Sequence, residues 1–167
     1  LTGTAASLSA AARALADLEG RVSRLEAGVS SQMGRIDWEQ LPESTFDALA
    51  DVHAALGGLA GHLESLGCGP GAMNCSRRAQ GLATQLASLL AVDEQQGLRW
   101  AEAGRTGVHL HFTPFEIADR LRAFMQGRSS AWIFTSATLA LGEDFSHFSH
   151  RIGLPEARTL RIESPFD

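Results

Sequence analysis

Apolar residues in the first part of the chain recur at alternating spacings of three and four residues, and this pattern limits the possible folds more than any other. The series comprises Leu8, Ala11, Leu15, Leu18, Val22, Leu25 and Val29. Such spacing puts all these side chains on one helix face and forms a heptad seam of about three repeats. Ser7 or Ser9 could cap the start of the helix, and Gly34 lies near its end. Because Gly20 and Gly28 weaken an isolated helix, the pattern predicts a helix that needs a packing partner.

Two further helices with the same kind of apolar face are predicted downstream. A helix-start signal begins at Pro42, and the apolar series after it is Phe46, Leu49, Val52, Leu56, Leu59, Leu63 and Leu66. The glycine-rich stretch 67–71 separates this helix from a third, whose apolar positions are Ala79, Leu82, Leu86, Leu89 and Leu90. Three helices joined by loops predict an antiparallel bundle over residues 1–96.

The two cysteines of the chain, Cys68 and Cys75, lie in or next to the glycine-rich stretch, with His62 upstream. Their spacing, with one nearby histidine, fits no zinc-binding template. No metal site is therefore predicted here.

The character of the chain changes near Gly97. Residues 1–97 hold six Arg against eleven acids, whereas residues 98–167 hold eight of each and seven of the eight Phe. The net charge of −5 argues against nucleic-acid binding when it is taken over the whole chain, but all of it lies in the helical part. The chain also has no Lys, which excludes a Schiff-base or phosphate-loop lysine in this sequence.

Beyond Gly97, apolar and polar residues alternate, and a short apolar run follows further along the chain. Residues 98–102 and 108–112 predict two strands joined by a tight turn at 104–107, with His109 and His111 on one face. This pair indicates a polar strand face or, alternatively, a metal-binding pair that lacks an evident third ligand. Residues 131–135 predict a strand covered on both faces, as in a parallel α/β sheet, and residues 157–162 a last strand. The predicted fold class is therefore mixed α and β: a helical bundle followed by a partial α/β segment.

Several motifs in this second part occur in a specific order. They are the run Trp132-Ile133-Phe134-Thr135-Ser136-Ala137-Thr138-Leu139-Ala140, then Asp144-Phe145, Phe148, Gly153-Leu154 and Ser164-Pro165-Phe166-Asp167, preceded by Arg99-Trp100-Ala101-Glu102, Leu110-His111 and Pro114-Phe115. Over residues 96–167 the chain resembles the DinG/YoaA branch of the XPD-like superfamily 2 DNA helicases.

This resemblance implies an ATP-driven motor that moves on single-stranded DNA with 5′-to-3′ polarity in DNA repair, built from two RecA-like lobes that close on ATP and Mg²⁺. It implies an Arch-like insertion at 1–96, part of the first motor lobe at 97–155 and the start of the second lobe at 156–167. In such helicases the third motif couples the phosphate state to the grip on DNA, which assigns this role to Thr135, Ser136, Ala137 and Thr138. Ser164, Pro165 and Phe166 would begin the second lobe.

The sequence also departs from a complete helicase. It contains neither a Gly-x-x-x-x-Gly-Lys-Ser/Thr phosphate loop nor an Asp-Glu-x-His motif, so we expect no complete catalytic site and no ATP hydrolysis by this chain alone. ATP, Mg²⁺ and any iron–sulfur cluster are expected in the parent enzyme, because the cluster cysteines of this family precede the Arch. Without a visible signal peptide or membrane span, we expect a cytoplasmic protein with no membrane partner.

A second hypothesis is a stand-alone helical module for protein interaction or oligomerisation, without catalysis. The seam from Leu8 to Val29 could pair with a partner or with itself. On either hypothesis we expect the isolated chain to self-associate, because a heptad seam and a partial sheet leave apolar surface uncovered.

Overall fold

A computed structural model describes residues 2–29, 33–67, 69–105 and 107–162. Its elements are α1 (Thr2–Val29), β1 (Gly34–Asp37), a 3₁₀ turn (Trp38–Gln40), α2 (Glu43–Ser65), α3 (Gly69–Leu90), β2 (Gly97–Gly104), β3 (Gly107–Pro114), α4 (Ala118–Gln126) and α5 (Ser146–Arg151). The mixed α and β class is thus confirmed. The chain divides into two compact units, residues 1–113 and 114–167.

Helix α2 lies at the centre of the first unit and packs against both α1 and α3. Its predicted seam positions Leu49, Val52, Leu56 and Leu59 are all buried. Around its middle lies an apolar cluster that joins the three helices: Leu18, Val22 and Leu25 of α1, Val52, Leu56 and Ala60 of α2, and Ala79, Ala83 and Leu86 of α3. The predicted helical bundle is therefore present.

Polar contacts between neighbouring helices show how the helices align along their lengths. Arg21 of α1 bonds Asp17 one turn earlier at 2.8 Å and reaches Asp51 of α2 at 3.2 Å. The hydrogen bond to Asp17 is the main cause that raises the pKa of Arg21. Between α2 and α3, the buried Ser76 hydroxyl donates to the backbone carbonyl of Ala60 at 3.2 Å. These pairs match the later part of one helix with the earlier part of the next, as antiparallel neighbours require.

The seam of α1 is buried along only part of its length. Ala11 and Val29 are buried, but Leu8 and Leu15 expose 55% and 47% of their surface. The periodicity correctly predicts the helix, but two of the seven seam residues lie exposed on its N-terminal half.

A three-stranded sheet in the order β1-β2-β3 closes one end of the bundle. Strands β2 and β3 are the two predicted strands, whereas β1 was not predicted; it pairs antiparallel to β2 with Gly34 opposite Ala103 and Asp37 opposite Trp100. The inner face of the sheet and the adjoining helix ends form the second core cluster, which comprises Val29, Ile36, Trp38, Leu41, Leu49, Ala101 and Ala103. The first compact unit extends to Thr113, because this core joins the sheet to the helices.

The second unit contains α4, α5 and irregular segments. Here the prediction of strands at 131–135 and 157–162 is wrong, since neither segment has regular secondary structure. Ile133 is 85% exposed, which also contradicts a strand covered on both faces. A strand needs a hydrogen-bonded neighbour, and the described part of this unit offers just the isolated bridge between Leu141 and Asp144. The sheet of the first unit is antiparallel, so the parallel sheet was not found, and the Arch-like and RecA-like assignments stay predictions.

Candidate functional site

The predicted coupling residues lie in an exposed turn of the second unit. The Ser136 and Thr138 hydroxyls are 3.1 Å apart, and the Thr138 backbone N–H donates to Ser136 Oγ at 3.2 Å. A serine side chain that accepts from the N–H two residues later forms a local turn and holds the backbone bend. Thr135 precedes this turn and Ala137 lies inside it, both exposed. The structure therefore brings Thr135, Ser136, Ala137 and Thr138 together at one surface position.

The loop that follows is closed by backbone bonds and by a helix cap. Leu141 and Asp144 exchange backbone hydrogen bonds of 2.9 and 3.2 Å. The Asp144 carboxylate then accepts from the Ser146 backbone N–H at 2.7 Å and from its hydroxyl at 2.9 Å, at the start of α5. These two hydrogen bonds lower the pKa of Asp144, and the bond from the backbone N–H has the larger effect. A carboxylate at a helix start also complements the positive end of the helix dipole.

Aromatic contacts hold the apolar run next to the helices although it forms no strand. The ring centroids of Phe134 and Phe148 are 5.9 Å apart in a T-shaped pair. Trp132 lies 5.6 Å from Phe124 of α4, and the Arg128 guanidinium covers the same Phe124 ring at 3.5 Å. These pairs position the segment that leads into the Ser136 turn.

The turn offers hydroxyl groups and backbone amides but no metal-binding cluster. Across the described ranges, no group of three or more His, Cys, Asp or Glu side chains is placed to hold a metal ion. Cys75 is a free, exposed thiol. Cys68 and the predicted start of the second lobe, Ser164, Pro165 and Phe166, lie outside the residues that the structure describes.

The outer face of the sheet carries a group of planar side chains that the sequence did not single out as a site. Trp100 stacks on His111 with centroids 4.9 Å apart and an angle of 11°, and the Arg35 guanidinium lies 4.6 Å from the Trp100 ring centre. His109 and His111 do share a strand face, as predicted, and His111 Nε2 lies 3.4 Å from Glu102 Oε2. The alternation at 98–102 places Trp100 and Glu102 on one strand face. Arg35 could not be assigned to the same face from the sequence, because strand β1 was not predicted.

Comparison with known proteins finds two curated relatives that match part of the chain. The chain is similar to the ATP-dependent DNA helicase YoaA of Escherichia coli, with 36% identity over 84 residues, which is 50% of this chain and 13% of that protein. It is similar to the ATP-dependent DNA helicase YoaA of Haemophilus influenzae, with 41% identity over 68 residues, or 41% of this chain and 11% of the relative. The resemblance to a segment of a DinG/YoaA-type helicase is thereby confirmed.

The chain thus spans about an eighth of the length of these relatives. No family model matches it, and no solved structure matches it. In the described ranges, no helix combines the length and the apolar character that crossing a membrane requires.

Proposed function

We propose that this chain is part of an ATP-dependent DNA helicase, in which it helps to engage single-stranded DNA and to couple the ATP state to the grip on that DNA. The observation that carries the proposal is the 36–41% identity to two DNA helicases of that name. ATP, Mg²⁺ and any iron–sulfur cluster would be bound by other parts of a cytoplasmic parent enzyme, which acts in DNA repair with 5′-to-3′ polarity.

The coupling role is assigned to the turn at Ser136 and Thr138. Two exposed hydroxyls bonded to each other can each exchange this partner for a phosphate oxygen or a backbone group without a large movement. Thr135 leads into the turn, and the small Ala137 side chain leaves room for a ligand to approach it. The 141–144 loop follows this turn closely in the chain and is joined to α5 through the hydrogen bonds from Ser146 to Asp144.

The experiment replaces Thr138 with Ala in the full-length parent enzyme. Loss of one hydrogen bond of about 0.5–1.5 kcal/mol predicts a reduction of DNA unwinding by roughly 2- to 10-fold, with a smaller effect on ATP hydrolysis. Thr138→Ser keeps the hydroxyl and should restore unwinding, and Ser130→Ala, an exposed hydroxyl outside the turn, serves as the matched control. Equal unwinding by Thr138→Ala and the parent would refute the coupling role.

A second candidate function is a helical interaction module, and the exposed Leu8 and Leu15 of the α1 seam favour it. On this hypothesis the chain self-associates through α1. The double variant Leu8→Gln/Leu15→Gln should then lower the mass measured by light scattering, whereas Leu141→Gln, an exposed leucine of the second unit, should not. A monomer at high concentration before any substitution would contradict this function.

A further inference from the structure

The outer face of the sheet presents three planar groups side by side, one from each strand. Arg35 of β1, Trp100 of β2 and His111 of β3 form a row in which the indole lies between a guanidinium and an imidazole. The strand order puts the two flanking groups on opposite sides of Trp100.

The two groups that cover the indole differ in their exposure to solvent. His111 lies nearly parallel to the indole, its Nε2 atom is buried, and this atom is 3.4 Å from Glu102 Oε2. Arg35 is 59% exposed, and its described polar partner is Asp37, also exposed, at 3.6 Å. An exposed ion pair of that length stabilises the side-chain position by little. The less exposed imidazole thus backs the indole in a nearly parallel stack, and the more exposed guanidinium covers the indole and can move away.

We propose that the Arg35 side of the Trp100 indole is a stacking site for an unpaired base of single-stranded DNA. The base takes the position of the guanidinium, and Arg35 moves to the adjacent phosphate. This inference rests on the proposed function in DNA engagement, and it names a second contact point in the first unit, apart from the Ser136 turn.

General chemistry explains why a base fits this position. Every base has an aromatic face, and stacking on an aromatic side chain contributes about 1–3 kcal/mol per base without sequence preference. A guanidinium is planar and matches a phosphate with two parallel hydrogen bonds, so it can serve both partners in turn. Asp37 and Glu102 flank the row and repel phosphates, which means that stacking rather than charge dominates the binding.

The test measures binding of a labelled oligothymidylate of about 15 nucleotides to the full chain by fluorescence anisotropy. Trp100→Ala should weaken binding by roughly 5- to 150-fold, which is the stacking contribution of one base. Phe115→Ala, which removes an exposed aromatic side chain outside both the sheet face and the Ser136 turn, should leave binding unchanged. An oligomer of abasic sites of the same length should bind to the native chain no better than oligothymidylate binds to Trp100→Ala.

Two further variants keep the proposal falsifiable if Trp100→Ala unfolds. Trp100→Leu keeps apolar bulk but has no aromatic face, and it should lose as much affinity. Arg35→Ala should retain the stacking but lower the slope of log affinity against log salt by about 0.7, the value for one phosphate contact to a single strand.

The outcomes separate this proposal from the proposed function. Native-like binding by Trp100→Leu, or equal binding of the abasic and the thymidylate oligomers, would overturn the stacking site and leave the helicase assignment untouched. The helicase assignment is tested independently by the effect of Thr138→Ala on unwinding in the parent enzyme. Absence of any oligothymidylate binding to the native chain would also overturn the stacking site.

Discussion

Arg99 joins the helical bundle to the sheet, and its removal gives a sharp test of the first unit. Its Nη1 donates to the backbone carbonyls of Leu89 and Leu90 at 3.2 and 3.3 Å, at the last turn of α3. The same guanidinium lies 4.8 Å from the centre of the Trp38 ring. Carbonyls at a helix end have no partner within the helix, and a cation there also complements the helix dipole. One side chain thus caps α3 and covers an aromatic ring of the core.

The size of the effect follows from these contacts. Hydrogen bonds to a charged group contribute about 1.5–3 kcal/mol, and the lower end applies because one nitrogen makes both bonds in a partly exposed position. The cation–π contact adds about 0.5–1 kcal/mol. We expect Arg99→Ala to lower the free energy of unfolding by about 2 kcal/mol. With a urea dependence of about 2 kcal/mol per molar, the midpoint should fall by about 1 M.

The assay is urea unfolding followed by circular dichroism at 222 nm, a signal that α1, α2 and α3 dominate. Arg99→Lys keeps the charge but not the planar group, and it should recover less than half of the loss. Arg78→Ala, an exposed arginine of α3, is the matched control and should change the midpoint little. A loss for Arg99→Ala within about 0.5 kcal/mol of this control would refute the capping role.

Two further predictions concern the second unit. Gly153 has a φ of +75°, and a Cβ there would lie 2.8 Å from the Ala118 carbonyl oxygen. Gly153→Ala should therefore destabilise the second unit by about 1–3 kcal/mol, which is measured as faster hydrogen exchange in α4 and α5. Gly127→Ala, at a φ of −75°, is the control, and equal exchange in the two variants would contradict the prediction. The lowered pKa of Asp144 means that its carboxylate stabilises the folded unit above pH 3.8 and that this stabilisation is lost as pH falls through the folded pKa. A carboxyl titration by NMR should therefore give a midpoint below 3.8, which Ser146→Ala raises part of the way; a native midpoint at or above 3.8 would contradict it.

Periodicity predicts burial well where neighbouring helices cover the whole apolar face. In α2, every central seam position is buried, because α1 and α3 pack on both sides of it. In α1 the same pattern predicts the helix but not the exposure of Leu8 and Leu15. Strand β1 was not predicted, because it has four residues and one buried side chain, Ile36, which is too short for a recognisable alternation. Its pairing with β2 is what makes it a strand.

The candidate site shows a different limit of sequence reasoning. The hydroxyls of Ser136 and Thr138 were found through a resemblance, and their mutual hydrogen bond is visible in the structure alone. The apolar run before them has the composition of a buried strand, yet composition reports only that a segment suits burial. Strand formation depends on a hydrogen-bonding neighbour, and the described residues around 131–135 supply none.

The chain has no lysine, and the described arginine–aromatic contacts show how its arginines take part in the fold. Arg99 lies on Trp38 and Arg128 on Phe124, and each also donates to backbone carbonyls at the end of a helix. A guanidinium can stack and donate at once, whereas an ammonium group cannot do both with the same geometry. Arg35 differs, since its described polar partner is the exposed carboxylate of Asp37. Arg99 and Arg128 are thus committed to the fold, whereas Arg35 is the guanidinium that the proposed stacking site requires to change partner.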